Sequence, residues 1–319
     1  MKKFISLALA GILMAVGFTG CKNNSEVAKS SDLNIVALKG PTTMGISKII
    51  DTNKDNDYQI LGTADEAAVK LTKGEADVAL IPANLAATLY NKTNGQIKVC
   101  GINTLGVLYV VENGETISSI KDLKGKTIVS TGKGTTPQYT LNYILEQNGI
   151  NPETDVNIEY KSEATEVAAM LNTNKASIAV LPQPYVTAVQ AKNENIRIAL
   201  DLDKEWSKVN TGSNIVTGVV VARVDALEKK KDAIDKFLDE YITSVDYVNT
   251  NVEESAKIIG ELGIATEPIA KKAIPYCNIV FIEGNEMETM LNKYLGILYS
   301  QNPKSIGGKL IDENFYYKR

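Results

Sequence analysis

Ala64-Asp-Glu-Ala-Ala-Val-Lys-Leu-Thr-Lys-Gly-Glu-Ala-Asp-Val-Ala-Leu-Ile-Pro82 is matched one hundred residues later, without a gap, by Ala164-Thr-Glu-Val-Ala-Ala-Met-Leu-Asn-Thr-Asn-Lys-Ala-Ser-Ile-Ala-Val-Leu-Pro182. The positions that meet an identical residue are Ala64, Glu66, Ala68, Leu71, Ala76, Ala79 and Pro82. Each copy predicts an amphipathic helix that leads into a short apolar strand ending in proline. Two copies at so long a spacing indicate two similar α/β units, because a solenoid needs more and shorter repeats.

A second match, at a shift of ninety-three residues, extends the repeat towards the amino terminus. Ile35-Val36 precedes Thr42-Thr43 by the same distance at which Ile128-Val129 precedes Thr135-Thr136. In both copies a β-rich run leads into a glycine-containing loop and a helical pattern, and a second strand follows. Strands that alternate with helices and are apolar throughout predict parallel sheets buried on both faces. The expected fold class is α/β, with two similar lobes, each a mostly parallel sheet flanked by helices.

The last third of the chain is expected to return to the first lobe. A strand run at 215–224 precedes two apolar stripes with helical spacing, which we interpret as core. The stripes are Ile234, Phe237, Leu238, Tyr241, Val245 and Val248, and Met287, Met290, Leu291, Tyr294, Leu295 and Leu298. Lobe one is thus predicted at 31–113 plus 215–319, and lobe two at 114–214. Crossings near 108–111 and 214–219 are expected to form a two-strand hinge.

The amino terminus has the features of an export signal. Lys2 and Lys3 precede a short apolar run that ends in small residues, so residues 1–20 are predicted to be a signal peptide. Cys21 resembles the acylated cysteine of a bacterial lipoprotein, and the alternative is an ordinary signal with a chance cysteine. The polar residues 21–31 predict a flexible tether. The chain is therefore expected on the extracytoplasmic face of the cell membrane, held by a palmitate-type lipid anchor.

Composition argues against several other functions. The net charge of −4 gives no basic footprint for nucleic acid, and the absence of histidine removes the commonest general base and zinc ligand. No local motif pairs a nucleophile with a base, so we expect neither an enzyme nor a metal or cofactor. Cys100 and Cys277 either form a disulfide or remain buried free thiols, and we favour the free thiols.

The candidate ligand-binding residues lie in the turns that follow the predicted strands. In open α/β sheets ligands bind at the carboxyl ends of strands, against helix amino termini that carry unpaired N–H groups. The residues at these turns are Gly40, Pro41, Thr42, Thr43 and Asn84 in lobe one, and Thr131, Thr135, Thr136, Gln183 and Tyr185 in lobe two. Their hydroxyls and amides are suited to a neutral or weakly anionic polar molecule, although Thr and Asn at helix starts also serve as caps.

These features together resemble the substrate-binding proteins of ABC importers. The resemblance rests on the cysteine after the signal, the paired lobes, Asp122-Leu-Lys-Gly-Lys-Thr127 before a strand, and Gly74-Glu-Ala-Asp-Val-Ala79. The group it resembles includes nitrate, sulfonate and taurine binders and thiamine-pyrimidine-precursor binders, with the fold of type II periplasmic binding proteins. The resemblance implies a monomer that captures a small polar molecule between its lobes by closing them, and then meets the importer's membrane subunits.

Two other classes of function stay open from the sequence. One is an enzyme of the cofactor-biosynthesis type on the same bilobed fold, and the other is a ligand-sensing lipoprotein without transport. The ligand also stays open among a planar heterocycle, a sulfonate and nitrate. A fold of this kind is reused for many ligands, so the fold alone selects none of them.

Overall fold

A computed structural model describes residues 32–319 of the chain. The predicted signal peptide and Cys21 lie outside the described residues. The strands are β1 Asn34–Leu38, β2 Asp57–Leu61, β3 Val78–Pro82, β4 Ile97–Thr104, β5 Leu108–Asn113, β6 Thr127–Thr131, β7 Asn157–Lys161, β8 Ile178–Pro182, β9 Ile196–Asp201, β10 Gly218–Arg223 and β11 Ile279–Ile282. The helices are α1 Pro41–Met44, α2 Ser47–Thr52, α3 Ala64–Lys73, α4 Ala83–Lys92, α5 Thr136–Gln147, α6 Ala164–Asn172, α7 Tyr185–Lys192, α8 Leu202–Val209, α9 Val224–Lys229, α10 Lys231–Thr250, α11 Val252–Glu261, α12 Glu267–Ala273 and α13 Gly284–Gln301.

The strands form two sheets of the same plan. The first has the order β11-β4-β10-β3-β1-β2 and the second has the order β7-β6-β8-β5-β9. In each sheet one central strand runs antiparallel to its neighbours: β10 between β3 and β4, and β5 between β8 and β9. The predicted α/β fold, with two similar sheets flanked by helices, is confirmed, and both sheets are mixed, with parallel strands β1–β3 and β6–β8 joined to antiparallel neighbours.

The antiparallel strands are also where the chain passes from one sheet to the other. The sequence places 108–113 in lobe one, but β5 pairs with β8 and β9 in the second sheet. The first crossing therefore lies at 105–107, before β5 rather than within it. A strand that is apolar throughout can be buried in either sheet. The hydrophobic pattern of a strand next to a crossing therefore does not show which sheet the strand joins.

The helix ends show the repeat at the level of the backbone. Thr63 caps α3 with its side chain and forms a capping box with Glu66, and Gly74 ends the helix in the left-handed conformation, at φ 78°. In the second copy Asn174 adopts a similar φ of 56°. Asparagine is the residue besides glycine that enters this conformation most readily, so both copies turn from helix to strand alike.

The hydrophobic core lies on both faces of the sheets. The long helix α10 buries Ile234, Phe237 and Tyr241 against the first sheet, as its apolar stripe predicts. Trp206 on α8 is fully buried between Tyr143 of α5 and Tyr294 of α13, with ring centroids 4.8 and 5.6 Å away. The core interpretation of both stripes is confirmed, with Met290 only partly buried.

Cys100 and Cys277 are both buried and unpaired, as the favoured alternative has it. The Cys277 Sγ lies 3.8 Å from the Sδ of Met44. Burial raises the pKa of the Cys100 thiol to about 12, so the thiol stays protonated and unreactive. Across residues 32–319, no helix is both long enough and apolar enough to span a bilayer.

Candidate ligand-binding site

Four of the predicted residues of the first sheet follow the carboxyl end of β1. Gly40 is the N-cap of α1, with φ 138°, and Pro41 is its first residue. The hydroxyl of Thr42 donates to the carbonyl of Leu38 at 2.9 Å, and that of Thr43 donates to the same carbonyl. Both hydroxyl protons are thus used to close the strand end. This differs from the helix-capping alternative, because no side chain caps α1. Their oxygens remain able to accept a hydrogen bond.

One pair of predicted residues meets across the two sheets. Asn84 stands in the first turn of α4, after β3, and Thr136 is the first residue of α5, after β6. The Thr136 hydroxyl donates to Asn84 Oδ1 at 3.4 Å, and the two residues are only 3% and 4% exposed. The Asn84 amide nitrogen donates in turn to the carbonyl of Ser305 at 3.3 Å. The structure therefore brings the amino-terminal ends of two helices, one from each sheet, to a single buried polar contact.

The other predicted residues of the second sheet bond mainly within their own loops. The Thr135 hydroxyl donates to the carbonyl of Gly132 at 2.9 Å. Gln183 Oε1 accepts from the Thr187 hydroxyl at 2.9 Å and from its backbone N–H at 3.3 Å. Thr131 is buried at the end of β6. These contacts order the loop edge, and they do not by themselves bring Thr135 or Gln183 to the first sheet.

Tyr185 opens α7 and is half-buried. Burial and the nearby carboxylate of Glu163 raise the pKa of its phenol. A neutral phenol with one apolar face is suited to stacking on a ligand, which is the role the sequence predicts for it.

Three polar residues at the same edge of the first sheet are absent from the sequence prediction. Asn103 and Thr104 end β4, and Thr217 immediately precedes β10. No hydrogen bond reaches the hydroxyls of Thr104 and Thr217 or the amide oxygen of Asn103. Their signal is visible in the sequence as two polar residues that close the apolar run Val99-Cys-Gly-Ile102.

Backbone contacts tie these three residues to Asn84. The N–H of Thr217 donates to the carbonyl of Thr104 at 3.0 Å, and the carbonyl of Thr217 accepts from the N–H of Ala83 at 3.1 Å. Ala83 is the residue before Asn84 at the start of α4. A continuous polar edge thus runs from the end of β4 to the contact between Asn84 and Thr136.

The crossings between the sheets are held by further contacts. The side-chain amide of Asn278 donates to the carbonyl of Gly106, and the N–H of Leu105 donates to the carbonyl of Asn278 at 3.1 Å. Asp203 lies beside the same crossing and accepts from the N–H of Ile215 at 3.3 Å. Burial raises the pKa of Asp203 above its ordinary value, and its neighbour Asp201 adds to the shift.

The buried polar groups among the candidate residues are uncharged. The buried members are hydroxyls and amides, and Lys133 in the predicted loop is exposed. Positive potential comes from the amino termini of α4 and α5, which are ten and twelve residues long. Among residues 32–319, no group of three or more His, Cys, Asp or Glu side chains is placed to hold a metal ion. The arrangement is suited to a small molecule that accepts several hydrogen bonds.

A separate surface cavity of about 760 Å³ lies between α2 and α10. It is lined by Lys48, Asn53, Glu240 and Tyr247 among others, and shares no residue with the strand ends. Its charged groups are already paired, since Asn53 donates to Glu240 at 2.8 Å and Lys48 lies over the ring of Tyr247. It is therefore not part of the candidate site.

A family of transport proteins matches most of the chain. The family model described as "ABC transporter, phosphonate, periplasmic substrate-binding protein" matches residues 52–266. The chain belongs to this family. Comparison with curated protein sequences finds no match.

Solved structures of several ABC-type binding proteins share the fold. An ABC transporter structure from Parabacteroides distasonis is 23% identical, with a TM-score of 0.76 over 91% of this chain and 99% of that one. The periplasmic aliphatic sulphonate binding protein of Escherichia coli is 15% identical, with a TM-score of 0.72 over 90% and 92%. The alkanesulfonate-binding protein of Xanthomonas axonopodis pv. citri, bound to MOPS, is 12% identical, with a TM-score of 0.66 over 84% and 92%.

The chain is thus the solute-binding component of an ABC importer, and the resemblance inferred from its sequence is confirmed. Proteins of this family work outside the cytoplasm and bind a small ligand and the importer's membrane subunits. The sequence pointed to the nitrate, sulfonate and pyrimidine-precursor binders, whereas the matching family model is that of phosphonate binders. The fold is common to these groups, so the difference concerns the ligand.

Proposed function

We propose that this protein captures a small organic oxyanion, of the phosphonate or sulfonate class, between its two sheets. The observation that carries the proposal is the contact between Asn84 and Thr136, which joins helix amino termini from both sheets. A ligand that replaces or extends this contact binds both sheets at once. It then favours the closed arrangement by its higher affinity for that arrangement.

The oxyanion class follows from the donors at this junction. Helix amino termini present unpaired N–H groups and positive potential, and they bind phosphate-like groups without a cationic side chain. Hydroxyls such as that of Thr136 add donors that need no counter-charge. The family description and the sulfonate-binding neighbours support the same class. An uncharged planar heterocycle, stacked on Tyr185, is the competing ligand.

Lobe closure requires that each sheet and its helices move as a unit. We propose that the lobes follow the sheets: residues 32–104 with 218–319, and residues 108–209. This division keeps the lobes predicted from the sequence but moves β5 into lobe two. The crossings at 105–107 and 210–217 then form the hinge.

Isothermal titration of the protein lacking residues 1–20 tests the site. Methylphosphonate, ethanesulfonate, nitrate and a pyrimidine are the probes. Asn84→Ala and Thr136→Val are each expected to weaken binding of the preferred oxyanion about tenfold, since each removes one buried hydrogen bond. Thr165→Val, at an exposed position of α6, is the matched control and is expected to bind as the parent does.

Unchanged affinity in both site variants would remove this junction from the proposal. If the protein binds the pyrimidine and none of the oxyanions, the proposed site at this junction stands and the proposed oxyanion ligand is wrong. Chemical conversion of any bound probe, followed by NMR, would favour the enzyme alternative instead.

Membrane attachment is the second part of the proposal. Cys21 is proposed to carry the lipid anchor, on the extracytoplasmic face of the cell membrane, with residues 21–31 as the tether and the chain as a monomer. Cys21→Ser is expected to move the protein from the membrane fraction to the soluble extracytoplasmic fraction. Retention of this variant in membranes would contradict the anchor. Loss of probe uptake in a deletion strain separates transport from sensing, because a sensor leaves uptake intact.

A further inference from the structure

Three uncharged polar side chains lie together at the crossing end of the first sheet. Asn103 and Thr104 are fully buried, and the adjoining Thr217 hydroxyl is shielded from solvent. No hydrogen bond reaches the hydroxyls of Thr104 and Thr217 or the amide oxygen of Asn103, and the amide nitrogen of Asn103 has the Tyr241 hydroxyl beside it. A buried amide or hydroxyl left without a partner costs about 1–3 kcal/mol. Other buried polar atoms without a partner occur in the described residues, as at Ser255 on α11, but at the crossing three residues with such atoms share one edge.

Neighbouring groups hold Asn103 in position without satisfying it. The hydroxyl of Tyr241 donates its proton to the carbonyl of Thr42 at 3.2 Å, and its oxygen faces one N–H of the Asn103 amide, so the second N–H and the amide oxygen stay open. Gly218 supplies the space on the other side. A Cβ at position 218 would lie 2.4 Å from Asn103 Oδ1 and 2.7 Å from the methyl group of Thr42. Only glycine therefore allows the amide its present orientation.

We propose that Asn103, Thr104 and Thr217 form a subsite that determines ligand specificity. It binds a polar substituent of the captured molecule that both donates and accepts hydrogen bonds, such as a hydroxyl. An amide offers two donors and an acceptor, and each threonine hydroxyl offers one donor, so the set is complementary to such a group. The proposal rests on the function proposed above, because it extends the polar edge that leads to Asn84 and Thr136.

A comparison of paired probes tests the subsite. The probes are 2-hydroxyethylphosphonate against ethylphosphonate, and 2-hydroxyethanesulfonate against ethanesulfonate, titrated into the parent protein and into Asn103→Leu. The parent is expected to prefer the hydroxylated member of the class it binds by about tenfold. Asn103→Leu is expected to lose this preference. Gly218→Ala, which displaces the same amide, is expected to lose the preference as well.

Thermal unfolding gives a readout that does not depend on the probe. Leucine has nearly the shape of asparagine, so removing an amide that keeps an unsatisfied oxygen and N–H is expected to raise the Tm of Asn103→Leu. A residue with only a structural role would lose a hydrogen bond and lower the Tm. Ser255→Ala, remote from the crossing on α11, serves as the control that leaves probe binding unchanged.

Each outcome decides a separate point. A Tm that falls or stays the same in Asn103→Leu overturns the subsite, whatever the probes do. A raised Tm, with binding but no preference for the hydroxylated probes, also overturns it while the proposed function stands. A raised Tm with no binding of any phosphonate or sulfonate probe supports an unsatisfied amide at this position and overturns the proposed ligand class.

Discussion

Glu112 is a buried carboxylate whose ionised form is held by several donors. It is 2% exposed and accepts from the N–H of Thr116 at 2.9 Å, the N–H of Ile117 at 3.1 Å and the guanidinium of Arg197 at 2.7 Å. Burial acts to raise the pKa of Glu112, but these hydrogen bonds outweigh it and hold the pKa below 4.5. A carboxyl group whose pKa is lower in the folded than in the unfolded protein stabilises the fold at pH values above the pKa of the unfolded state. This stabilisation is lost as the pH falls through the pKa of the folded state.

Glu112→Gln is therefore expected to lower the free energy of unfolding at pH 7 by about 2 kcal/mol, the range for hydrogen bonds to a charged group. The difference from the parent should shrink below pH 4, which urea titrations at pH 7 and pH 3.5 measure. Glu159→Gln is the control, because its ion pair with Lys161 is exposed and spans 3.7 Å. An equal loss in both variants would contradict the special role of Glu112.

Asp203 shows the opposite shift. Burial is the main cause that raises its pKa above 3.8, Asp201 adds to the shift, and the N–H of Ile215 opposes it. A carboxyl group whose pKa is higher in the folded than in the unfolded protein destabilises the fold once it ionises. This destabilisation is absent below the pKa of the unfolded state, grows as the pH rises, and is complete above the pKa of the folded state. Asp203→Asn keeps an acceptor for Ile215 and is expected to raise the Tm at pH 7.

The gain in Tm should vanish towards pH 3, where Asp203 of the parent protein is protonated as well. Calorimetry across this pH range measures it. A lower Tm at pH 7 in Asp203→Asn would contradict the prediction, because it would mean that the charge itself holds the crossing together.

At the scale of elements, the position of α4 depends on a turn near the end of the chain. The side-chain amide of Asn91 donates to the carbonyl of Ile306 at 2.7 Å, and Asn84 bonds Ser305 in the same turn. Gly307 follows in the left-handed region, at φ 86°, and a Cβ there would lie 3.0 Å from the Cα of Thr88. The backbone of α4 therefore packs directly on a glycine.

Gly307→Ala is expected to cost about 2–3 kcal/mol, from the left-handed backbone and from overpacking against α4. Because α4 carries Asn84, oxyanion affinity should fall as well. Gly149→Ala is the matched control, since Gly149 has φ 75° with open space around it, and only the backbone cost of about 1 kcal/mol is expected there. Equal losses in denaturant unfolding would show that α4 tolerates the added methyl group.

The sequence predicted elements best where its two copies support each other. The two matched stretches begin with the helices α3 and α6, at Ala64 and Ala164. They end with the strands β3 and β8, at Pro82 and Pro182. The prediction failed at β5, because the apolar pattern of a crossing strand is the same in either sheet. It missed Asn103 and Thr104, because their importance comes from neighbours distant in sequence, among them Gly218 and Tyr241. The pairing of Asn84 with Thr136 is likewise a property of the fold, although both residues were candidates.

At the scale of the whole molecule, two crossings connect the proposed lobes at the ligand edge, together with the contact between Asn84 and Thr136 and the hydrogen bond that Tyr109 donates to the carbonyl of Tyr276 at 3.2 Å. The protein without ligand is expected to sample a more open arrangement, and a saturating oxyanion probe should reduce its radius of gyration in small-angle X-ray scattering. At one hundred times its dissociation constant, the same probe should add about 2.7 kcal/mol to the free energy of unfolding. Stabilisation without any change in radius would mean that the ligand binds to a protein that is already closed.

Trp206 is the only tryptophan of the chain, so all tryptophan emission comes from one point. The indole is fully buried and lies between Tyr143 of α5 and Tyr294 of α13, helices that belong to different proposed lobes. Any separation of these helices would admit water to the indole and shift its emission to longer wavelengths. The chain thus carries a native optical probe, which allows the rate of opening to be followed by stopped-flow mixing without an attached dye.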